Sequence, residues 1–214
     1  MSKIMEDCLK NVRVESDLIG SLEVPADALY GVQTLRGIEN FPISCFHLND
    51  YPLFINGLAM TKLAAAEANY QLGLLSDSQY NGITQACREI LEGKHHEHFP
   101  VDMIQGGAGT TTNMNANEVI ANRALQIMGY PLGKYKHCSP NDHVNCSQST
   151  NDAYPTAIHL GLYATHLEFM KHFIPLIDSF EAKAKEFAGI LKMGRTQLED
   201  AVPMTLGQTF GAFA

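Results

Sequence analysis

Three polar segments of the sequence carry residue types suited to binding a small anionic molecule. The first, GGAGTTTNMNANEV at 106–119, places glycines and threonines just ahead of a predicted helix. Glycine permits close backbone approach, and the N–H groups at a helix N-terminus attract a carboxylate or a phosphate. The segment predicts either an anion site or a capped helix start whose asparagines satisfy buried turns. It does not predict a nucleotide P-loop, because GxxxxGK[ST] is absent.

The other two segments add amide, hydroxyl and charged groups. SPNDHVNCSQSTNDAYPT at 139–156 includes Ser149, Thr150 and Asn151, which can hydrogen-bond a carboxylate and an amino group without adding a charge. A plain N-cap loop is the alternative interpretation of this segment. In GRTQLEDAVPM at 194–204, spacing alone does not separate a ligand-binding arginine from a structural ion pair.

A histidine cluster, KHHEHF at 94–99, raises the question of a metal site. HExxH is absent, and adjacent residues cannot all face one ion from regular structure. We therefore favour a solvated loop and predict no metal ligand in the chain.

The composition is typical of a protein that handles small molecules or assembles with other chains. The net charge of −8 disfavours nucleic acid and anionic membranes as partners. A membrane span needs about 18 continuous apolar residues, and no stretch of the sequence approaches this length. The start lacks an apolar signal region, so we expect a cytoplasmic location. The cysteines are odd in number and widely spaced, which predicts reduced thiols at Cys8, Cys45, Cys87, Cys138 and Cys146.

Helical patterns dominate the elements that must position these segments. Turn signals across 11–50 predict a small strand pair or an irregular segment. An antiparallel helix pair, a third helix and a longer fourth helix are predicted at 54–72, 76–91, 113–128 and 156–191. The last residues, PMTLGQTFGAFA, begin another helical pattern without a stop signal, which favours a truncated chain.

In this order, the three polar segments and the N-terminal VESDLIGSLEVPADALYGVQTLRGIENF resemble the aspartase and class II fumarase superfamily. The match covers nearly the whole chain. It implies a homotetramer built around a bundle of long helices, with each active site formed by three subunits. The expected fold is mainly α: a small N-terminal β or irregular segment and a helical domain, 1–152, followed by 153–214 as the truncated start of the helical bundle.

Within the superfamily the sequence is most similar to aspartases, which interconvert L-aspartate with fumarate and ammonia. Fumarases carry histidine directly after GRT, whereas this sequence has Gln197. Glutamine can hydrogen-bond a leaving amino group but cannot take up a proton as histidine does. Two alternatives stay open. One is a class II fumarase, and the other is a non-catalytic assembly fragment whose apolar helix faces favour self-association.

The resemblance implies an anti elimination in which a base removes a C3 proton and leaves an aci-carboxylate. By resemblance, the substrate-binding residues are Thr110, Ser149 and Thr150 for that carboxylate, and Asn151, Thr196 and Gln197 for the amino group. The family's base is a serine in a GSSxMPxKxNP loop that this chain does not contain. No catalytic residue is therefore assigned, and the chain alone is expected to be inactive.

Two further expectations follow from the resemblance. Fumarases form a second anion site around the residues that match Asn141 and Asp142, but the histidine expected two positions before Asn141 is Ser139 here. That second site is not carried over. No cofactor is expected to be required, and activation by Mg²⁺ is left open.

Overall fold

A short antiparallel hairpin opens the part of the chain that the computed structural model describes, residues 11–214. Strand β1, Val12–Ser16, pairs with β2, Ser21–Pro25. The Arg13 guanidinium donates to the carbonyl oxygens of Pro25, Ala28 and Tyr30 and so fastens the hairpin to the chain that follows. Of the two predicted alternatives, a strand pair or an irregular segment, the strand pair is present. Cys8 lies outside the described residues.

Helix α1, Val32–Asn40, follows the hairpin and was not predicted. Its first N–H groups are capped by a distant side chain: the amides of Gly31, Gln33 and Thr34 all donate to the carboxylate of Glu118, at 2.8–3.0 Å. Glu118 is buried. Because the cap comes from far along the sequence, no local pattern could have signalled this helix.

The predicted helices are present with shifted ends. Ser76 caps α3 as part of a capping box with Gln79. The longest helix begins at Thr150 rather than at residue 156 and ends at Glu186 rather than at residue 191. The helices are α2, Pro52–Gln71; α3, Asp77–Leu91; α4, Thr110–Ile127; and α5, Thr150–Glu186, with a π-helical turn at Pro140–Val144.

The main core lies where α2, α3 and α4 pack together, and it is filled by aliphatic side chains such as Ile55, Leu58, Ile83, Ile120 and Leu125. Helices α2 and α5 lie close together at Gly57 of α2. A Cβ atom on Gly57 would overlap the carbonyl oxygen of Ala157. The mainly α fold is thus confirmed.

A hairpin that was not predicted follows the longest helix, and a final helix lies within 203–214, where the sequence predicted the start of another helix. Strand β3, Leu191–Thr196, pairs with β4, Glu199–Thr205, and α6 spans Leu206–Phe213. The chain divides into two compact units, one ending at Leu162 and the other covering Tyr163–Ala214. The division into 1–152 and 153–214 stays a prediction. Among the described residues, no helix has the length and hydropathy needed to cross a membrane.

The turn of the second hairpin holds two residues in the left-handed region, Gln197 at φ 51° and Leu198 at φ 67°. Glycine adopts this conformation without the steric penalty of a Cβ atom. We expect Leu198→Gly to raise the free energy of unfolding by about 1 kcal/mol, measured by urea titration and circular dichroism.

The matched control is Leu191→Gly, which removes another exposed leucine, this one from a strand. It should destabilise the protein by roughly 0.5–1 kcal/mol, because glycine weakens a strand interior. A Leu198→Gly variant that is no more stable than the parent would show that the turn is not strained.

Candidate active site

Two helices begin side by side in the first unit, and their starts carry several of the predicted site residues. Gly109 precedes α4 at φ 88°, and a Cβ atom on it would overlap the ring of Tyr154 in α5. One turn into α4, Asn113 donates from Nδ2 to Thr150 Oγ1 at 3.1 Å. Thr110, which opens α4, and Thr150, which opens α5, therefore lie on adjoining helix N-termini.

The positive ends of two helix dipoles thus meet at a surface of hydroxyl and amide groups. Ser149 caps α5: its carbonyl accepts from the amides of Asp152 and Ala153, and its Oγ accepts from the amide of Asn151 at 3.2 Å. Ser149 and Asn151 are exposed, and Thr150 is half-buried. Helix N-termini stabilise negative charge, so this arrangement suits a carboxylate.

A pocket of about 720 Å³ in the first unit is lined in part by Thr110 and Thr111. Arg36 also lines it, but its guanidinium is engaged with the carboxylate of Asp17 at 2.8 and 2.9 Å. This ion pair lowers the pKa of Asp17 to about 2. Because the Arg36 guanidinium is already paired with Asp17, an anion in this pocket would bind at the N-terminus of α4 rather than at Arg36.

Ser139 occupies the position where fumarases carry histidine, and here it caps the π-helical turn. Its Oγ accepts from the amide of Asp142 at 3.1 Å, and its own amide donates to Nδ1 of His143 at 2.8 Å. Asn141 is exposed beside it. Capping of the π-helical turn accounts for a serine at this position. The absence of a second anion site stays a prediction.

A buried lysine that sequence reasoning missed lies next to the start of α5. Lys62 has no exposed surface, and its Nζ donates to Asn145 Oδ1 at 2.8 Å and to Gln148 Oε1 at 3.0 Å. Burial lowers its pKa to about 7. Helical spacing was the available signal, because Lys62 falls on the apolar face of α2 together with Leu58 and Ala66.

The remaining predicted site residues lie in the second unit, at the turn between β3 and β4. Thr196 ends β3 and Gln197 begins the turn, and both are exposed. Arg195, left open as a ligand or an ion pair, has its Nε 3.0 Å from Asp200 Oδ1 on the protein surface. The structure thus brings Thr110 and Ser149–Asn151 to adjoining helix starts and places Thr196 and Gln197 on a hairpin of the other unit.

The histidine cluster is folded onto the protein rather than solvated, because His95 and His98 are half-buried and hydrogen-bonded. His95 Nε2 lies 2.9 Å from the carboxylate of Glu89, and Nδ1 of His98 accepts from the amide of Leu29 at 3.4 Å. His95, Glu97 and His98 offer potential ligand atoms within 4.8 Å of one another. However, accepting at Nδ1 leaves the proton of neutral His98 on Nε2, which opposes metal binding there. We assign the cluster a structural role.

Glu89 also binds Arg123, whose Nε and Nη2 donate to its carboxylate at 2.6 and 3.1 Å. This contact lowers the pKa of Glu89 from 4.5 to about 2. Between these values the unfolded chain binds more protons, so stability is present above pH 4.5 and is lost as the pH falls toward 2. We expect Glu89→Gln to flatten this loss in urea titrations at decreasing pH.

The matched control for this acid titration is Glu92→Gln, which breaks the exposed ion pair between Glu92 and Lys94. It should leave the pH dependence close to that of the parent, because exposed pairs contribute little. Equal slopes for the parent and Glu89→Gln would contradict the prediction.

With this geometry in place, comparison with known proteins identifies the family. The sequence profile of the family described as lyase matches residues 20–214, so the chain belongs to this lyase family. Aspartate ammonia-lyase of Pseudomonas aeruginosa is 60% identical over 202 residues, which are 94% of this chain and 43% of the relative. The Escherichia coli K12 enzyme of the same name is 55% identical over 95% of this chain and 43% of its own length.

Solved structures agree with the family and with the fold. A fumarate lyase:delta crystallin from Brucella melitensis, in its native form, has a TM-score of 0.89 at 53% identity, over 94% of this chain and 45% of that one. The same protein is also known bound to cobalt. A class II fumarase from Schistosoma mansoni has a TM-score of 0.81 at 37% identity, over 95% of this chain and 43% of its own. The resemblance to this superfamily is confirmed, and the chain spans less than half the length of these relatives.

Proposed function

We propose that this chain is part of an aspartate ammonia-lyase, which reversibly eliminates ammonia from L-aspartate to give fumarate. The observation that carries the proposal is the contact between Asn113 and Thr150, which joins two helix N-termini into one anion-attracting surface. The relatives named as aspartate ammonia-lyases, at 55–60% identity, support the choice of reaction.

Thr110, Ser149 and Thr150 bind the carboxylate that gains a second negative charge when the C3 proton leaves. Thr150 Oγ1 already accepts a hydrogen bond from Asn113, so its own O–H is left to donate to that carboxylate. A donor aimed at charge that develops in the transition state contributes roughly 3 kcal/mol. The task of these hydroxyls is therefore to stabilise the aci-carboxylate.

Asn151, Thr196 and Gln197 hold the amino group that leaves as ammonia. An amide at 197 favours an amine over water as the leaving group, because it offers neutral hydrogen bonds and no proton-transfer site. A class II fumarase is the second candidate, and the likeness to the Schistosoma mansoni enzyme favours it as an alternative.

The complete enzyme works as a cytoplasmic homotetramer, and the base serine comes from sequence that this chain does not contain. Exposed apolar side chains on α5, such as Tyr163, Phe169 and Ile174, support packing against other subunits. The chain alone has no appreciable lyase activity, and it acts by itself as an assembly fragment at most. No cofactor is required, and rates measured with and without a chelator test whether Mg²⁺ activates the enzyme.

The test uses a complete lyase in which this chain replaces the matching segment of the Pseudomonas aeruginosa relative. Fumarate formation is followed by the ultraviolet absorbance of its conjugated double bond, with L-aspartate and L-malate in parallel. The unmodified relative is the control for expression and assembly. We expect activity with aspartate alone. Activity with malate alone would contradict this proposal and identify the enzyme as a fumarase.

A further inference from the structure

Lys62 is a buried amine that meets uncharged oxygen atoms rather than a carboxylate. Its Nζ is held by the side-chain oxygens of Asn145 and Gln148. None of the ion pairs found within residues 11–214 includes it. A buried amino group destabilises the fold unless its N–H groups are hydrogen-bonded, so the two amide oxygens are held against Lys62 Nζ.

The contacts of Lys62 continue to a predicted substrate-binding hydroxyl. Asn145 Oδ1 accepts from Lys62 and also from Asn113 Nδ2, the latter at 3.1 Å. Asn113 Nδ2 donates in turn to Thr150 Oγ1 at 3.1 Å. The shared oxygen of Asn145 therefore sets where the Asn113 amide lies, and Asn113 sets which way the Thr150 O–H can point.

The loop between the π-helical turn and α5 depends on the same lysine for its shape. Gln148, once its oxygen is fixed by Lys62, donates from Nε2 to the carbonyls of Val144 and Cys146, at 2.8 and 3.1 Å. Ser147 is left-handed, at φ 57°, a conformation that is unfavourable for a residue with a Cβ atom. External contacts must hold the loop in this form.

We propose that Lys62 is a positioning residue: it fixes the loop at 145–148 and, through Asn113, directs the Thr150 hydroxyl toward the substrate carboxylate. The inference rests on the proposed function, since only under it does Thr150 bind substrate. Lys62 itself does not touch the substrate. Its loss should weaken interactions with the doubly charged aci-carboxylate more than those with an ordinary carboxylate.

The experiment compares the affinities of two probes for the complete lyase described above. Succinate carries an ordinary carboxylate, whereas the nitronate of 3-nitropropionate resembles the aci-carboxylate in its planar shape and in the formal negative charge on each of its two oxygens. We expect Lys62→Met to weaken nitronate binding by roughly 10-fold and succinate binding by less than about 3-fold, measured by isothermal titration calorimetry. A reversibly unfolded fraction would weaken the apparent affinity for both probes by the same factor, so partial unfolding cannot imitate this split.

A double-mutant cycle tests whether the effect passes through Thr150. If it does, Lys62→Met adds little to the loss of nitronate affinity caused by Thr150→Val. Additive losses, an equal weakening of both probes, or unchanged affinities in Lys62→Met would each overturn the inference. Lys94→Met removes an exposed lysine and should leave both affinities unchanged.

Two further outcomes have separate meanings. If Lys62→Met does not fold, Gln148→Met replaces it, because this variant removes one acceptor of the lysine from a half-buried site, and the same preferential loss for nitronate is expected. An unsubstituted lyase without activity on aspartate would contradict the proposed function. An active lyase that keeps its preference for nitronate in both variants would contradict only the role of Lys62.

Discussion

Gly57→Ala should lower the free energy of unfolding by roughly 2 kcal/mol. The added methyl group meets the carbonyl oxygen of Ala157, and a backbone atom within a packed helix cannot move aside as a flexible side chain can. Alanine favours a helix over glycine by about 1 kcal/mol, so the steric effect must exceed this gain. Urea titration followed by circular dichroism measures the difference.

Gly189→Ala is the matched control for this substitution. A Cβ atom on Gly189 would meet no heavy atom within 4 Å, so the change should stay within about 0.5 kcal/mol of the parent. If Gly57→Ala were as stable as Gly189→Ala, the close approach of α2 and α5 would be incorrect. Because α5 carries Ser149–Asn151 at its start, a shift of this contact would also disturb the candidate site.

Thr150→Val in the complete lyase should lower kcat/KM with L-aspartate by roughly 100-fold. Valine keeps the shape of threonine but cannot donate to the developing aci-carboxylate. Asn113 Nδ2 retains Asn145 Oδ1 as an acceptor, so the substitution does not strand a buried donor. Initial rates over a range of aspartate concentrations separate the loss in kcat from any change in KM.

Two companion variants make this result specific to the hydroxyl. Thr150→Ser keeps the O–H and should recover most of the activity. Thr156→Val makes the same chemical change at an exposed position of α5 and should leave kcat/KM close to the parent value. A full rate for Thr150→Val, with normal folding, would remove Thr150 from the proposed carboxylate site.

The elements that could be predicted are those whose signals are local. Ser76 and Gln79 cap α3 within one turn, so the start of this helix is specified by neighbouring residues. The strands at Leu191–Thr196 and Glu199–Thr205 were missed because their turn is formed by Gln197 and Leu198, whereas two-residue hairpins of this kind favour Asn-Gly.

The candidate site was predictable in its motifs but not in its supporting contacts. The segments around Thr110 and Thr150 were recognised from residue types and order. The bond from Asn113 to Thr150 joins positions far apart in the sequence, and so do the bonds from Lys62 to the loop at 145–148. Such pairs depend on how the helices pack, which neither propensity nor spacing specifies.

The cap that Glu118 provides for α1 has a consequence for the order in which the chain folds during synthesis. The amides of Gly31, Gln33 and Thr34 need a carboxylate that leaves the ribosome more than eighty residues later. Until then, α1 has too few residues to persist alone, and of its first amides only that of Val32 has an acceptor translated earlier, the carboxylate of Glu15. The N-terminal helix should therefore become stable only after α4 has been translated, although it precedes α4 in the sequence.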